Sequence, residues 1–199
     1  MRYEATIVLP ALPAMANSKP QKSAWSQVFS FFLVAALALL LRWAVLEPRW
    51  IPSGSMLPSL ELQDRILVEK LSQRFKRLPT RGEIVVFRVP EPLLNSGYDL
   101  KAALIKRVVG IPGDQLEVVG GRLKRNGEYA NEPWLAEPMN YNMKPIAVLP
   151  GQLWVLGDNR NASLDSHIWG GMPQQNLIGT AIWRYWPLAR FGAIKAKAS

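Results

Sequence analysis

The sequence predicts a mostly β protein, an antiparallel coiled β-sheet or barrel held behind one N-terminal transmembrane helix. Three observations carry that expectation. The 19 residues from Ser23 to Leu41 contain no charge. Beyond them the chain breaks into short runs rich in β-branched and aromatic residues, bounded by Gly, Pro and Asn turn signals. No regular helices separate those runs, which favours antiparallel neighbours over a parallel sheet with crossover helices.

Residues 1–22 hold prolines and small residues with little periodicity and are expected to be a flexible tail. Residues 23–46 are the expected anchor. At about 1.5 Å per residue the uncharged run spans about 28 Å, close to the hydrocarbon thickness of a bilayer. Trp25 and Trp43 stand near its ends, where interfacial tryptophans belong, and Arg42 can snorkel. A buried soluble helix would show a polar face. A cleaved leader would have a shorter apolar core and a small-x-small site, which 41–48 does not offer. Arg2, Lys19 and Lys22 before the run balance Arg42, Arg49 and Arg65 after it, so charge counting does not orient the helix. Pro48 ends any helix that remains.

Residues 47–192 are read as the β domain and 193–199 as a basic tail. Strands are expected over 83–89, 103–111, 116–119, 122–124, 153–156 and 178–186. Gly120-Gly121 makes a two-residue hairpin loop, and Pro112-Gly113-Asp114 and Asn126-Gly127 are turns. The Pro/Asn-rich stretches 90–100 and 134–150 read as connections.

Composition narrows the chemistry. With 49% hydrophobic residues in 199, a sizeable core is available. The absence of cysteine excludes disulfides, thiolate catalysis and cysteine-bound zinc, and a lone histidine, His167, excludes a multi-histidine metal site. No metal or organic cofactor is expected. The net charge of +9 points to an acidic partner. No nucleic-acid motif accompanies it, and the cluster Arg74, Lys76, Arg77 and Arg81 reads as a solvated loop near anionic head groups. The expected partner surface is therefore a lipid bilayer, not nucleic acid.

Three stretches could do chemistry. Ile51 to Leu60 directly follows the anchor, with Ser53 and Ser55 flanking Gly54 and prolines at 52 and 58. The prolines favour a held loop or extended segment, and Gly54 leaves room for a close backbone approach. Ser55 becomes a nucleophile if a base takes its proton. The bland alternative is a Ser/Pro/Gly linker. Nine residues beyond Leu46, Ser55 can lie at most about 30 Å from the helix end, so it works near the membrane surface.

In the second stretch Lys106 and Arg107 sit inside an apolar strand. Adjacent strand residues face opposite ways, so each cation needs its own partner. The bland alternative is an edge strand with both cations in water. The functional one is a buried Lys106 held neutral as a general base. The third stretch, Gly157 to Gly170, gathers Asp158, Arg160, Ser163, Asp165, Ser166 and His167. It is either a well-satisfied turn or the support of a site. A Ser55–His167–Asp165 triad is conceivable. However, the chain holds no Gly-x-Ser-x-Gly or Ser-x-x-Lys motif. Spacing alone does not choose between His167 and Lys106 as base.

Taken in order, Pro52-Ser53-Gly54-Ser55-Met56-x-Pro58, Lys106-Arg107-Val108-x-Gly110-x-Pro112-Gly113-Asp114 and Gly157-Asp158-Asn159-Arg160-x-x-Ser163-x-Asp165-Ser166-x-x-Trp169-Gly170 resemble the signature boxes of type I signal peptidases. The resemblance runs from the apolar helix to about Gly192. It implies a membrane-bound Ser-Lys endopeptidase that removes signal peptides from exported precursors, near the export machinery. By resemblance Ser55 is the nucleophile and Lys106 the base, and Ser53 with Ser55 forms the oxyanion hole. Ser163 orients the lysine, Asp165 supports its loop, and Arg107 pairs with Asp158. Ile51, Pro52, Met56 and Ile105 match positions near the pockets for Ala-x-Ala-like residues. The catalytic domain would face the exported side, the periplasmic face of a plasma membrane or a thylakoid lumen. Asn161 stands where many members carry an acid, and His167 where many carry arginine, so His167 is expected to be structural. The rival readings are a self-cleaving Ser-Lys protease, a membrane-tethered non-catalytic binding module, and a basic β domain that binds lipid or nucleic acid.

Overall fold

The structure is a computed structural model that describes residues 24–95, 97–99 and 102–196. It divides into two units, Met1–Ala38 and Leu39–Ser199. The described part of the first unit belongs to α1 (Ala24–Ala44), a 21-residue helix whose Phe29, Phe31, Phe32 and Leu33 side chains are exposed. Among the described residues no helix is long and apolar enough to cross a membrane. The expected tail over 1–22, Ser23, and the side chains of Leu41 and Trp43 lie outside the described residues, as do 197–199.

The second unit is built almost wholly of strands. In chain order they are β1 (Leu46–Trp50), β2 (Arg65–Glu69), β3 (Ile84–Arg88), β4 (Ala103–Gly110), β5 (Gln115–Val119) and β6 (Arg122–Arg125). β7 (Glu128–Tyr129), β8 (Met143–Ala147), β9 (Gln152–Leu156), β10 (Met172–Pro173), β11 (Leu177–Trp186) and β12 (Gly192–Ala193) follow. Three single-turn helices, α2 (Leu71–Arg74), α3 (Glu91–Leu94) and α4 (Ser166–Trp169), lie in the connections. The larger sheet runs β1-β2-β11-β3-β4-β9-β10, with β12 beside β11, and the smaller runs β7-β6-β5-β8. Every described pairing is antiparallel, as the missing crossover helices require. The larger path ends on β1 and β10, so among the described strands this sheet is open, not a closed barrel.

Six of the described strands lie outside the runs read as strands, and three of them, β7, β10 and β12, are only two residues long. β1 and β8 contain Pro48 and Pro145, which normally argue against a strand. Both are edge strands, where a missing ladder N–H faces outward at little cost. β2 offers only two inward positions, Ile66 and Val68, both fully buried, too short an alternation to stand out.

β4 overturns the edge-strand reading of Lys106 and Arg107. It lies between β3 and β9, and Ile105 through Gly110 are all buried, so the two cations do not face water from an edge. The turn after it is held by Asp114, which accepts from the Ile111 amide at 2.9 Å, Asn126 Nδ2 at 3.0 Å and Arg81 Nη2 at 2.6 Å. Arg81 is thereby drawn out of the expected solvated cluster, and Arg77 pairs with Glu83 at 3.0 Å.

Candidate active site

The site forms where β4 meets the turn after β1. Residues 54–56 make one 3-10 turn, a short helical turn in the segment where the prolines favoured a held loop or extended chain. Ser55 is only 9% exposed there, and Met56 at its end is fully buried with Ile51, Leu60, Ile66 and Ile105 in the core below. Lys106 is 3% exposed, paired across the sheet with Val85. Its Nζ lies 2.7 Å from Ser55 Oγ, and Ser53 Oγ lies 3.4 Å from the same oxygen. Residues 51 positions apart in the chain are thus joined by one short hydrogen bond. Burial lowers the Lys106 amine to about 8, against the pull of the Asp165 and Asp158 carboxylates in the other direction. A lysine there is neutral often enough at physiological pH to accept a proton.

Arg107, one residue on, points to the opposite face as strand alternation demands. Its Nε donates to Asp158 Oδ1 at 2.7 Å and Nη2 to Oδ2 at 2.5 Å, and Nη1 donates to Gly82 O at 2.7 Å. The guanidinium also lies 4.4 Å from the Trp134 ring centre. Asp158 and Arg107 are both about 2% exposed, so this is a buried bidentate pair with its donors satisfied.

The 157–170 stretch packs onto Ser55. The Asn159 amide donates to Ser55 O and Asn159 Nδ2 to Gly54 O, each at 3.1 Å. The close backbone approach comes at Gly157, not Gly54. A Cβ on Gly157 would stand 2.5 Å from Ser55 O and 2.2 Å from Ser163 Oγ, whereas at Gly54 it would meet only the Leu57 and Leu62 side chains. Ser163 Oγ is buried without a protein partner among the described atoms. Asp165 is fully buried, accepting from the Gly157 amide at 2.8 Å and from His167 Nδ1 at 2.7 Å. His167 therefore sits on Asp165 and stacks on Tyr141, while the hydroxyl of Ser55 belongs to Lys106.

The partners of two loop residues escaped the sequence reading. Arg160, 1% exposed, donates from Nη2 to Glu132 Oε1 at 2.6 Å, from Nη1 to Oε2 at 2.9 Å, and from Nε to Gly157 O at 3.0 Å. Asn161 Nδ2 donates to Glu137 Oε1 and to Pro138 O, and its Oδ1 accepts from the Asn140 amide. Asn140 and Tyr141 lie in the Pro/Asn-rich connection 134–150 and Glu132 just before it, without a pattern that marks them. Beside the serine, a groove of about 280 Å³ is lined by Trp50, Ile51, Pro52, Val86, Leu104 and Ile105, among others.

A family model described as signal peptidase, peptidase S26, matches residues 24–186. The chain belongs to the signal peptidase family. It is 48% identical over 184 residues to the probable signal peptidase I-1 of Synechocystis, covering 90% of this chain and 93% of that one. It is 44% identical over 185 residues to a signal peptidase I of Leptolyngbya laminosa, covering 93% and 91%. The probable thylakoidal processing peptidase 2 of Arabidopsis thaliana is 43% identical over 163 residues, 82% of this chain and 44% of that longer protein. As a signal peptidase the chain is a serine endopeptidase that removes signal peptides from precursor proteins.

Proposed function

We propose that this signal peptidase cuts through a Ser55–Lys106 dyad while anchored in a membrane by the apolar segment 23–46. The observation that carries the chemistry is the 2.7 Å contact between a buried lysine and a serine hydroxyl. Neutral Lys106 takes the Ser55 proton as Oγ attacks the scissile carbonyl. The oxyanion meets the Ser53 hydroxyl and the Ser55 backbone N–H, donors set where charge develops in the transition state. The Lys106 ammonium then protonates the leaving amine, and the signal peptide stays esterified to Ser55. Lys106 next deprotonates a water, which attacks the ester and restores the serine.

Ser163, whose buried hydroxyl is unpartnered among the described atoms and lies against Gly157, is assigned the task of orienting the amine. Asp165 holds the Gly157 amide, and the Arg107–Asp158 pair fixes the strand and the loop to one another. The groove of Ile51, Pro52, Ile66 and Ile105 takes the small side chains that precede the cut. Met56, fully buried, belongs to the core that Ile51, Ile66 and Ile105 share, not to the groove lining. No metal or organic cofactor enters this scheme.

For the anchor, the support is the 19-residue uncharged run, the 21-residue helix over it, and the exposure of its phenylalanines and leucines. The catalytic unit then begins within a few residues of the bilayer. Its precursor substrates reach it at the exported face, a periplasmic face or thylakoid lumen, beside the export machinery.

The test is cleavage of a precursor whose signal ends in Ala-x-Ala by the full chain in liposomes, against Ser55→Ala and Lys106→Met. Cutting at the junction, lost in both variants, is expected. Cutting retained by Lys106→Met refutes the dyad. Release of the full chain by alkaline carbonate washing refutes the anchor.

A further inference from the structure

His167 is a member of the polar loop to which the dyad gives no work, yet its surroundings are built. Its Nδ1 is 2.7 Å from Asp165 Oδ1, and its ring stacks on Tyr141 with centroids 4.3 Å apart and planes 8° from parallel. Asp165 has no exposure and, as a carboxylate, can only accept. The proton in that contact is therefore on Nδ1, in the neutral imidazole as in the imidazolium. The stack fixes the plane of the ring and keeps Nδ1 aimed. The other oxygen of Asp165 accepts the amide of Gly157, the residue that lies against Ser163 and Ser55.

We propose that His167 is a positioning residue for the catalytic lysine: by donating to Asp165 it holds that carboxylate on the Gly157 amide and limits the negative field the carboxylate casts on Lys106. Asp165 and Asp158 are the two carboxylates that favour the charged amine against burial. The other groups around the contact are accounted for. Asp158 is engaged by Arg107, and Glu132 by Arg160. The phenol of Tyr141 is pushed up, first by burial and then by Asp165, so it stays neutral. Asp165 has no cation of its own among the described ion pairs, and His167 is its side-chain partner. A donor removed here leaves the carboxylate less compensated, and a permanent cation placed here compensates it more.

The proposal rests on Lys106 being the general base. Its test is the pH dependence of kcat/KM for the full chain in detergent on a peptide ending its signal in Ala-x-Ala. The readout is the midpoint of the acid limb, which does not depend on how much of a variant folds. His167→Ala is expected to move the midpoint up by about half a pH unit or more, and His167→Arg to move it down. His167→Asn, whose amide nitrogen stands where Nδ1 did, is expected to return it toward wild type. Midpoints that coincide in all four proteins overturn the proposal while leaving the dyad intact, even if the variants are slower. A His167→Arg midpoint that rises with His167→Ala also overturns it. Cleavage retained by Lys106→Met refutes the dyad itself, and this proposal with it.

Discussion

Replacing Lys106 by methionine should make the protein more stable at neutral pH while abolishing its activity. Burial holds the amine at about 8 in the fold, against an ordinary value of 10.5. The unfolded chain therefore binds more protons between these values, and stability rises with pH across that window. Below it the full penalty applies: at pH 7 the fold bears about 3 kcal/mol for a charge it disfavours, at about 1.4 kcal/mol per unit. Methionine keeps most of the buried aliphatic stem and carries no charge. It also forgoes the hydrogen bond to Ser55, worth about 1 kcal/mol net. The expected gain at pH 7 is thus about 1–3 kcal/mol, shrinking to nothing or reversing near pH 10.5. Urea unfolding of both proteins in detergent, followed by tryptophan fluorescence from pH 7 to 10.5, measures it. Other lysines and tyrosines titrate alike in both and cancel in the difference. A Lys106→Met protein less stable than wild type at pH 7, or a difference flat in pH, would refute the reasoning.

The same lowered amine sets the activity profile: kcat/KM should climb about tenfold per pH unit on the acid side and level off above about 8, because only the neutral amine is a base. A plateau reached already at pH 6 would remove Lys106 from that role. Asp158→Ala strands a buried Arg107 and should cost about 3–5 kcal/mol in chemical unfolding, whereas an exposed pair would cost under about 1. Gly157→Ala drives a methyl to within 2.5 Å of the Ser55 carbonyl, a contact that only backbone movement relieves. Single-turnover cleavage should fall by about a hundredfold, with circular dichroism unchanged. Wild-type rates in that variant would mean that the loop can move without disturbing the serine.

How much of this was legible follows from where the information sits. The antiparallel β class was readable because its turns are written locally, in Gly120-Gly121, Asn126-Gly127 and Pro112-Gly113-Asp114. The edge strands β1 and β8 were not, since only the pairing order shows that Pro48 and Pro145 lie at sheet margins. The site residues were named by the resemblance, and alternation alone placed Lys106 and Arg107 on opposite faces. Their depth was invisible. A cation in an apolar run fits an edge in water as well as a buried pair, until β3 and β9 are seen to flank it. Glu132 and Tyr141 had no local signal at all, because their partners, Arg160 and His167, lie 28 and 26 residues downstream.

One strand therefore solves the same desolvation problem twice, in opposite ways. Arg107 cannot lose its proton, so the fold must meet its charge, and it does so with Asp158, the Gly82 carbonyl and the face of Trp134. Lys106 can lose its proton, and among the described residues its side chain meets the Ser55 hydroxyl and no carboxylate in an ion pair. A carboxylate touching Lys106 would stabilise the protein and silence the base, since it would return the amine toward its ordinary range. Exchanging the two residues fails at both positions for this reason: arginine at 106 cannot be a base, and lysine at 107 cannot fill a bidentate site. On the proposed dyad, the reactivity of the amine depends on keeping carboxylates off it, and Asp165 is instead engaged by the Gly157 amide and His167.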